Sequence, residues 1–241
     1  MKVKEALEYG RTTLAASAIE DPNLEAEVIL RHGLNIDRVR LFLDRDRELS
    51  PAEYNTFLQL LQRRSNGEPS AYITGHREFF GLDFTVNKAV LIPRPETERL
   101  VETALEIASA RKVSLIADVG TGSGAVAVSL ASRLKTAIIY AIDISDEELQ
   151  VAAENARKHG VSDRIRLLQG DLLAPVPEPV DMVVANLPYV KQSDLPEVNT
   201  WGHEPALALD GGKDGLDVIR RLISQVKGKL KPGGALLLEI G

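Results

Sequence analysis

The sequence predicts an α/β protein in which a doubly wound, mostly parallel sheet follows a smaller helical region. Two observations lead to this prediction. From Pro95 onward, short apolar runs alternate with amphipathic segments, which is the pattern of strands joined by crossover helices. Before residue 75 the period is helical, and proline follows an acidic or hydroxyl residue at two expected helix starts.

The helical region carries specific start and stop signals. Asp21-Pro22 supplies an N-cap and a proline at the first helical position, and Ser50-Pro51-Ala52-Glu53 adds a capping box. Gly33 and Gly67 are the expected ends of these two helices. We therefore expect a helical domain over residues 1–74.

The period then changes to that of a strand over residues 75–90, and Gly81 lies where a hairpin can turn. We expect a β-hairpin linker over residues 75–93 and the sheet domain over residues 94–241. Because the carboxyl ends of parallel strands share one edge of a sheet, a ligand is expected at that edge. The predicted helices of the sheet domain cover 96–110, a segment from about 124, 147–159 and 217–230, and the predicted strands cover 114–119, 137–143, 164–169, 181–186 and, after a turn at 231–234, 235–240.

The composition excludes several kinds of site. With no cysteine and four scattered histidines, the chain offers no disulfide or cysteine nucleophile, and no metal site is expected. A net charge of −6 without a basic region argues against direct binding of nucleic acid. The first ten residues lack the apolar core of a signal peptide, and no later run is long enough to span a bilayer. We expect a soluble, cytoplasmic monomer.

A glycine-rich segment marks the nucleotide end of the expected site. Asp118-Val119-Gly120-Thr121-Gly122-Ser123-Gly124 follows a strand and opens a helix, so its backbone can approach a ligand closely. Asp143 ends the next strand, where a carboxylate can accept both hydroxyls of an adenosine ribose. After the third strand, Asp171 is expected to hold the adenine amino group and Leu172 to face the ring.

This glycine-rich segment leaves the cofactor open. It also fits the dinucleotide pattern G-x-G-x-x-A, so it does not separate a nicotinamide dinucleotide from another adenosyl cofactor. The chemistry beside the segment has to make that distinction. The residues expected to contact the cofactor are Gly120, Thr121, Gly122, Gly124, Asp143, Asp171, Leu172 and Asn186.

The strand at 181–186 ends in Asn186-Leu187-Pro188-Tyr189, which favours methyl transfer to an amide or an exocyclic amine. The lone pair of such a nitrogen is delocalised, so orientation must supply much of the catalysis. The Asn186 side-chain oxygen and the Leu187 carbonyl can accept its two N–H groups and stabilise the charge that develops on nitrogen. Pro188 restricts the chain, and Tyr189 can stack on the substrate. The alternative is a turn in which these residues only cap and fill space.

Together these segments resemble class I S-adenosylmethionine-dependent methyltransferases that modify amide or amino nitrogens. Three further stretches, FFGLDFTV (79–86), LIPRPETE (91–98) and HEPALALDGGKDGL (203–216), make the whole chain similar to the peptide chain release factor glutamine N5-methyltransferases. The resemblance implies a Rossmann-like methyltransferase domain, an N-terminal substrate-recognition domain and a hairpin linker. It also implies S-adenosylmethionine as cofactor, S-adenosylhomocysteine as product, and the glutamine of the Gly-Gly-Gln motif of release factors as substrate.

Transferred to this chain, the resemblance assigns catalysis and substrate binding to Asn186, Leu187, Pro188 and Tyr189, and Glu204 is expected to border the same cavity. Arg94 and His203 receive no firm role, and Trp201 is expected to pack. The family usually continues past Gly241 with two more strands, so the chain is expected to be truncated.

One departure from the family keeps rival functions open. The residue after the asparagine is usually proline in the family, and here it is Leu187. The tetrapeptide thereby takes the form found in ribosomal RNA adenine dimethylases, so an RNA adenine N6-methyltransferase is the main alternative. A nicotinamide-dependent oxidoreductase and a non-catalytic adenosyl-binding module are the others.

Overall fold

The structure, a computed structural model, describes residues 1–198 and 202–240. The chain divides into two compact units, Met1–Gly75 and His76–Gly241. In the part of the chain described, no helix is both long and apolar enough to cross a membrane. Trp201, which was expected to pack, lies outside the described residues.

The first unit is helical, as the cap signals predict. The Asp21 carboxylate accepts a hydrogen bond from the backbone N–H of Leu24, and Ser50 and Glu53 form the predicted capping box. Its core is one apolar cluster centred on fully buried side chains such as Phe57 and Leu30. The helices are α1 Val3–Ala16, α2 Pro22–Leu34, α3 Arg38–Leu43, α4 Pro51–Ser65 and α5 Ser70–Thr74.

The prediction that Gly33 ends α2 is wrong. The helix continues to Leu34, and Asn35 adopts the left-handed conformation that terminates it. Gly33 instead lies where α2 meets α4, and a Cβ there would stand 3.3 Å from the Leu60 side chain. The glycine therefore allows two helices to approach each other, whereas Gly67 follows α4 with the positive φ expected of a stop.

The second unit begins with the predicted hairpin and continues into the predicted sheet. The hairpin strands are antiparallel, and the turn residues Phe80 and Gly81 both have positive φ. All the pairings within the five-stranded sheet are parallel, in the order β5-β4-β3-β6-β7, which confirms the fold class. The strands are β1 His76–Phe79, β2 Leu82–Thr85, β3 Leu115–Val119, β4 Ile138–Asp143, β5 Ile165–Gln169, β6 Val180–Asn186 and β7 Leu230–Glu239.

Helices cover both faces of this sheet, so its strands read as continuous apolar runs. Ile116 of β3 faces a cluster that includes residues of α6, α7 and the hairpin, whereas Ala117 faces a cluster completed by Ile219 and Leu222 of α10. The strand order reverses between β3 and β6, which makes the crevice beyond their carboxyl ends the expected ligand site. The helices are α6 Glu98–Ala110, α7 Ala125–Arg133, α8 Asp146–Lys158, α9 Leu195–Val198 and α10 Asp217–Val226, with 3₁₀ turns at Pro95–Thr97 and Ala206–Ala208.

The prediction for the last helix and strand needs a correction. Helix α10 ends at Val226 instead of continuing to residue 230, and Gly228 follows with a φ of 100° that a helix cannot accommodate. The predicted turn at 231–234 lies inside β7 as an irregularity. The register jumps there from Val180 opposite Leu230 to Met182 opposite Ala235.

Asn155 of α8 joins three segments of the second unit. Its amide nitrogen donates to the carbonyls of Thr85 and Ser123, each at 2.9 Å, and its oxygen accepts the Thr85 N–H at 2.8 Å. The side chain is fully buried. The hairpin and the glycine-rich segment therefore share one buried amide, and its removal leaves three backbone groups without that partner.

Replacing Asn155 with alanine is expected to lower the free energy of unfolding by about 3 kcal/mol, because buried backbone groups lose their partners. Urea unfolding followed by circular dichroism measures this change. Gln150→Ala, on an exposed position of the same helix, is the matched control and should cost less than about 0.5 kcal/mol. Equal effects of the two substitutions would contradict the assigned role of Asn155.

Candidate functional site

A pocket lies beyond the carboxyl ends of the strands, at the reversal between β3 and β6. Eight of the residues predicted from the sequence line it: Gly120, Gly122, Asp143, Asp171, Leu172, Asn186, Leu187 and Pro188. The other four predicted residues, Thr121, Gly124, Tyr189 and Glu204, are not among the described residues that line it. Side chains that the sequence reading did not single out complete the wall: Leu91, Glu148, Leu207 and Arg221.

Hydrogen bonds to the Ile142 carbonyl and to the buried Asp118 carboxylate hold the glycine-rich segment. The backbone N–H groups of Gly120 and Thr121 both donate to the Ile142 carbonyl at 2.9 Å. The Thr121 hydroxyl donates to the Asp118 carboxylate at 2.7 Å, and the Ala127 N–H donates to the same oxygen. Burial raises the pKa of Asp118 to about 7. Thr121 therefore shapes the segment from below and does not present its hydroxyl to the pocket.

Two glycines of this segment are required by their surroundings. A Cβ at Gly120 would stand 3.1 Å from the Leu187 side chain, so this glycine lets the strand ends of β3 and β6 approach. A Cβ at Gly124 would stand 3.1 Å from that of Ala152, and Gly124 also has a positive φ. Gly124 thus serves the packing of α7 against α8.

Asp143 ends β4 and is oriented by backbone donors. One carboxylate oxygen accepts the Gly122 N–H at 2.9 Å and the other accepts the Ser145 N–H at 3.2 Å. These bonds point the carboxylate at the pocket that it lines. Each oxygen has a second lone pair, which can accept from a neighbouring acid or from a hydroxyl of a sugar.

Glu148, in the first turn of α8, lies beside Asp143 in the same pocket. Burial, the charge of Asp143 and a hydrogen bond with Asp143 raise the pKa of Glu148 to about 8. The pair therefore shares one negative charge at neutral pH, because the protonated Glu148 donates to Asp143. Its position five residues after Asp143, at the start of a helix, was the available signal in the sequence.

An ion pair lies at the Asp171 side of the pocket. Arg221 of α10 donates to Asp171 at 2.5 Å, so this carboxylate already has a cationic partner. Leu172 is buried and has a φ of 52°, a conformation that leucine rarely adopts. Such strain at a pocket wall is typical of ligand-binding segments.

The Asn186 corner is fixed on two sides. The Asn186 amide nitrogen donates to the Thr97 hydroxyl at 3.0 Å, which turns the side-chain oxygen away from Thr97. The backbone beyond it is paired with the segment 209–212 through Val190 N–H to Leu209 O at 3.0 Å and Gly211 N–H to Val190 O at 2.9 Å. A Cβ at Gly211 would stand 2.8 Å from the Pro188 carbonyl oxygen, so only glycine fits there.

Glu204 and Arg94 form an ion pair near this corner. Arg94 donates to one Glu204 oxygen at 2.5 Å, and the other oxygen accepts the Ile92 N–H at 3.3 Å. The pair joins the segment that carries Leu91 to the one that carries Leu207, and both leucines line the pocket. Among the described residues, no group of three or more His, Cys, Asp and Glu side chains could hold a metal ion.

Comparison with known proteins places this chain in a family. Two family profiles match, the PrmC N-terminal domain over residues 5–75 and a methyltransferase domain over residues 116–200. The release factor glutamine methyltransferase of Moorella thermoacetica is 49% identical, over 100% of this chain and 86% of its own length. That of Koribacter versatilis is 43% identical, over 100% and 87%. The chain belongs to the release factor glutamine methyltransferase family.

The solved structures agree with this assignment at the level of fold. The hMettl16 catalytic domain, determined in complex with the MAT2A 3'UTR hairpin 6, superposes with a TM-score of 0.53 and 18% identity. The match covers 67% of this chain and 63% of that one. At this identity the likeness concerns the fold alone, so the chain is a methyltransferase by its family and not by its structural neighbours.

The Asp143–Glu148 pair generates a prediction about pH. In the unfolded chain Glu148 loses its proton near pH 4.5, as an ordinary glutamate does, whereas the folded protein holds it up to a pKa of about 8. The folded state therefore binds more protons between these values, and the free energy of unfolding must fall as pH rises through this window. The steepest fall expected for one proton is about 1.4 kcal/mol per pH unit.

Glu148→Gln removes this proton and should therefore gain stability relative to the wild type as pH rises from 5 to 8, with the difference then levelling off. Urea unfolding of both proteins at closely spaced pH values measures it. Glu147→Gln changes an exposed carboxyl in the same helical turn and serves as the control. A difference between Glu148→Gln and wild type that does not vary with pH would refute the shared proton.

Proposed function

We propose that the protein transfers a methyl group from S-adenosylmethionine to the side-chain amide nitrogen (N5) of the glutamine in the Gly-Gly-Gln motif of peptide chain release factors. The observation that carries the proposal is the orientation of Asn186. Its amide nitrogen is bonded to Thr97, which leaves the side-chain oxygen as an acceptor at the pocket. The names of the relatives from Moorella and Koribacter support the same activity.

The chemistry of the pocket fits an adenosyl cofactor. Asp143 is pre-oriented by two backbone N–H groups and suits a ribose diol. Apolar side chains at Ile142, Leu172 and Val218 suit the faces of a purine. Gly122 has no side chain to occupy the space next to Glu148, and a Cβ there would stand 3.6 Å from that carboxylate. When bound, S-adenosylmethionine supplies an electrophilic methyl group on a sulfonium sulfur.

Asn186 and Leu187 act on the amide that accepts the methyl group. An amide nitrogen has a delocalised lone pair, so it reacts only when it is held in one orientation. The Asn186 side-chain oxygen and the Leu187 carbonyl would accept its two N–H groups and would strengthen those bonds as positive charge develops. Leu187 supplies the carbonyl as proline would, and its buried side chain packs against Gly120.

The partner and the domain roles form part of the same proposal. Residues 1–74 would recognise the release factor, 75–93 would link, and 94–241 would carry out the transfer. The match of residues 5–75 to the PrmC N-terminal domain supports a dedicated recognition unit. The net charge of −6 supports a protein substrate over direct contact with nucleic acid. The proposal places the protein in the cytoplasm as a monomer.

Incubation with methyl-labelled S-adenosylmethionine and a release factor tests the assignment. Label should enter the wild-type factor and be lost when the Gln of its Gly-Gly-Gln motif is changed to Ala. Incubation with ribosomal RNA tests the RNA methyltransferase alternative, and calorimetry with NAD tests the oxidoreductase. A non-catalytic adenosyl-binding module would label neither substrate. Label in the RNA, label that persists in the Gln→Ala factor, or tight NAD binding would each reject the proposal.

Asn186→Ala is expected to reduce kcat by an amount equivalent to about 2 to 4 kcal/mol, the cost of losing a group that stabilises transition-state charge. Steady-state kinetics with the release factor measures it. Gln192→Ala removes an exposed amide from the same loop and should leave kcat unchanged. Wild-type turnover by Asn186→Ala would show that the side chain does not hold the acceptor.

A further inference from the structure

The two ends of an asparagine amide have nearly the same shape but opposite hydrogen-bonding roles. The reaction proposed above needs the Asn186 oxygen at the acceptor, because an NH₂ group there would oppose the substrate NH₂. Something in the protein must therefore keep the Asn186 nitrogen turned inward. A shell of two side chains around Asn186 meets this need.

The two side chains come from elements far apart in sequence. Glu239 stands directly opposite Asn186 in the register of β6 and β7, so both side chains lie on the same face at adjacent strand ends. Thr97 lies in the 3₁₀ turn that precedes α6 and is 5% exposed. The Glu239 carboxyl lies close enough to Thr97 and Asn186 for both side chains to lower its pKa. The Asn186 nitrogen donates to Thr97 at 3.0 Å.

The orientation of Asn186 follows from what each neighbouring group can do. An ionised carboxylate only accepts, so the carboxylate of Glu239 favours donor groups on the side chains that face it. The hydroxyl proton of Thr97 is such a donor, and turning it toward Glu239 leaves the Thr97 oxygen free to accept from Asn186. The Asn186 nitrogen donates to that oxygen, so the Asn186 oxygen faces the other way.

We propose that Thr97 and Glu239 are positioning residues that hold the Asn186 amide in its acceptor orientation, an inference that rests on the proposed function. Neither side chain lines the pocket among the residues described, so they act through Asn186. The role requires Glu239 to be ionised, since a protonated carboxyl could donate to the Asn186 oxygen and turn the amide over.

The surroundings of Glu239 make its ionisation dependent on pH. Burial and the charge of Glu96 raise the pKa of Glu239, and the nearby side chains of Thr97 and Asn186 oppose that rise. Tyr189, from the loop after β6, also faces this carboxyl, and its own pKa is raised by burial and by the charge of Glu239. One Glu239 oxygen is buried without a hydrogen-bond partner in the described part of the chain. Protonation of Glu239 at acidic pH should therefore reduce turnover.

Kinetic analysis of three variants tests the proposal. Thr97→Val keeps the shape but loses the hydroxyl, and Glu239→Gln can present either end of its own amide to Asn186. Each should lower kcat by about 10- to 100-fold, the effect of a misoriented reacting group. The affinity for S-adenosylmethionine, measured by calorimetry, should change less than about twofold because Asp143 is untouched. Thr97→Ser restores the hydroxyl and should recover most of the lost turnover.

Two further readouts separate positioning from general damage to the fold. The acidic limb of the wild-type kcat profile should disappear in Glu239→Gln, whose side chain does not ionise. Glu102→Gln, which removes an exposed carboxyl from α6, the helix that follows Thr97, is the matched control and should retain wild-type turnover. The double variant Thr97→Val/Glu239→Gln should be no slower than the slower single variant, because the two residues act as a unit.

The outcomes distinguish this inference from the proposed function. If the wild type labels the release factor and both Thr97→Val and Glu239→Gln keep its kcat, the positioning role is wrong and the activity stands. If the wild type fails to label the glutamine, the proposed function itself is wrong. Should Glu239→Gln not fold, the comparison of Thr97→Val with Thr97→Ser decides, and equal turnover by those two would overturn the inference.

Discussion

The pairing of β3 with β6 is the constraint on which the site depends. Consecutive strands β3, β4 and β5 spread to one side, and β6 returns to the other side of β3, so a crevice opens where their ends diverge. That reversal puts the glycine-rich segment after β3 beside the Asn186 corner after β6. Gly120 allows the approach, because a Cβ there would stand 3.1 Å from Leu187. The two segments to which the proposed function assigns the methyl donor and the acceptor are thus neighbours through backbone topology.

Carboxyl groups at the strand ends are the second unifying feature. Asp118, Asp143, Glu148 and Glu239 all lie at or under the crevice, and backbone or side-chain donors hold the carboxylates of Asp118 and Asp143. Burial raises the pKa of three of them, Asp118, Glu148 and Glu239. Buried acids of this kind cost folding free energy at neutral pH, which proteins accept mainly at functional sites.

Sequence reasoning could predict the features that depend on residues close together in the chain. The alternation of strands and helices predicts the fold class, and contiguous segments predict Gly120, Asp143 and Asn186, which line one pocket. It could not predict groups brought together by tertiary structure, since Thr97 is 89 residues from its partner. Its errors have the same origin: Gly33 is a helix stop by local rules, but contact with another helix decides its role. The Thr121 hydroxyl donates to the buried Asp118 beneath it, and the cofactor contact expected of Thr121 stays a prediction.

The contact between the segment 210–215 and the Pro188–Tyr189 backbone has a practical consequence for redesign. Gly211 and Gly215 have no room for a side chain against that backbone, with a Cβ at Gly211 2.8 Å from the Pro188 oxygen. The conformation of the loop at Pro188–Tyr189 thus depends on residues 211–215, more than twenty residues downstream. Exchanging only this loop between related enzymes would place it against a 210–215 segment that does not fit it. A transplant intended to alter acceptor range has to carry both stretches together.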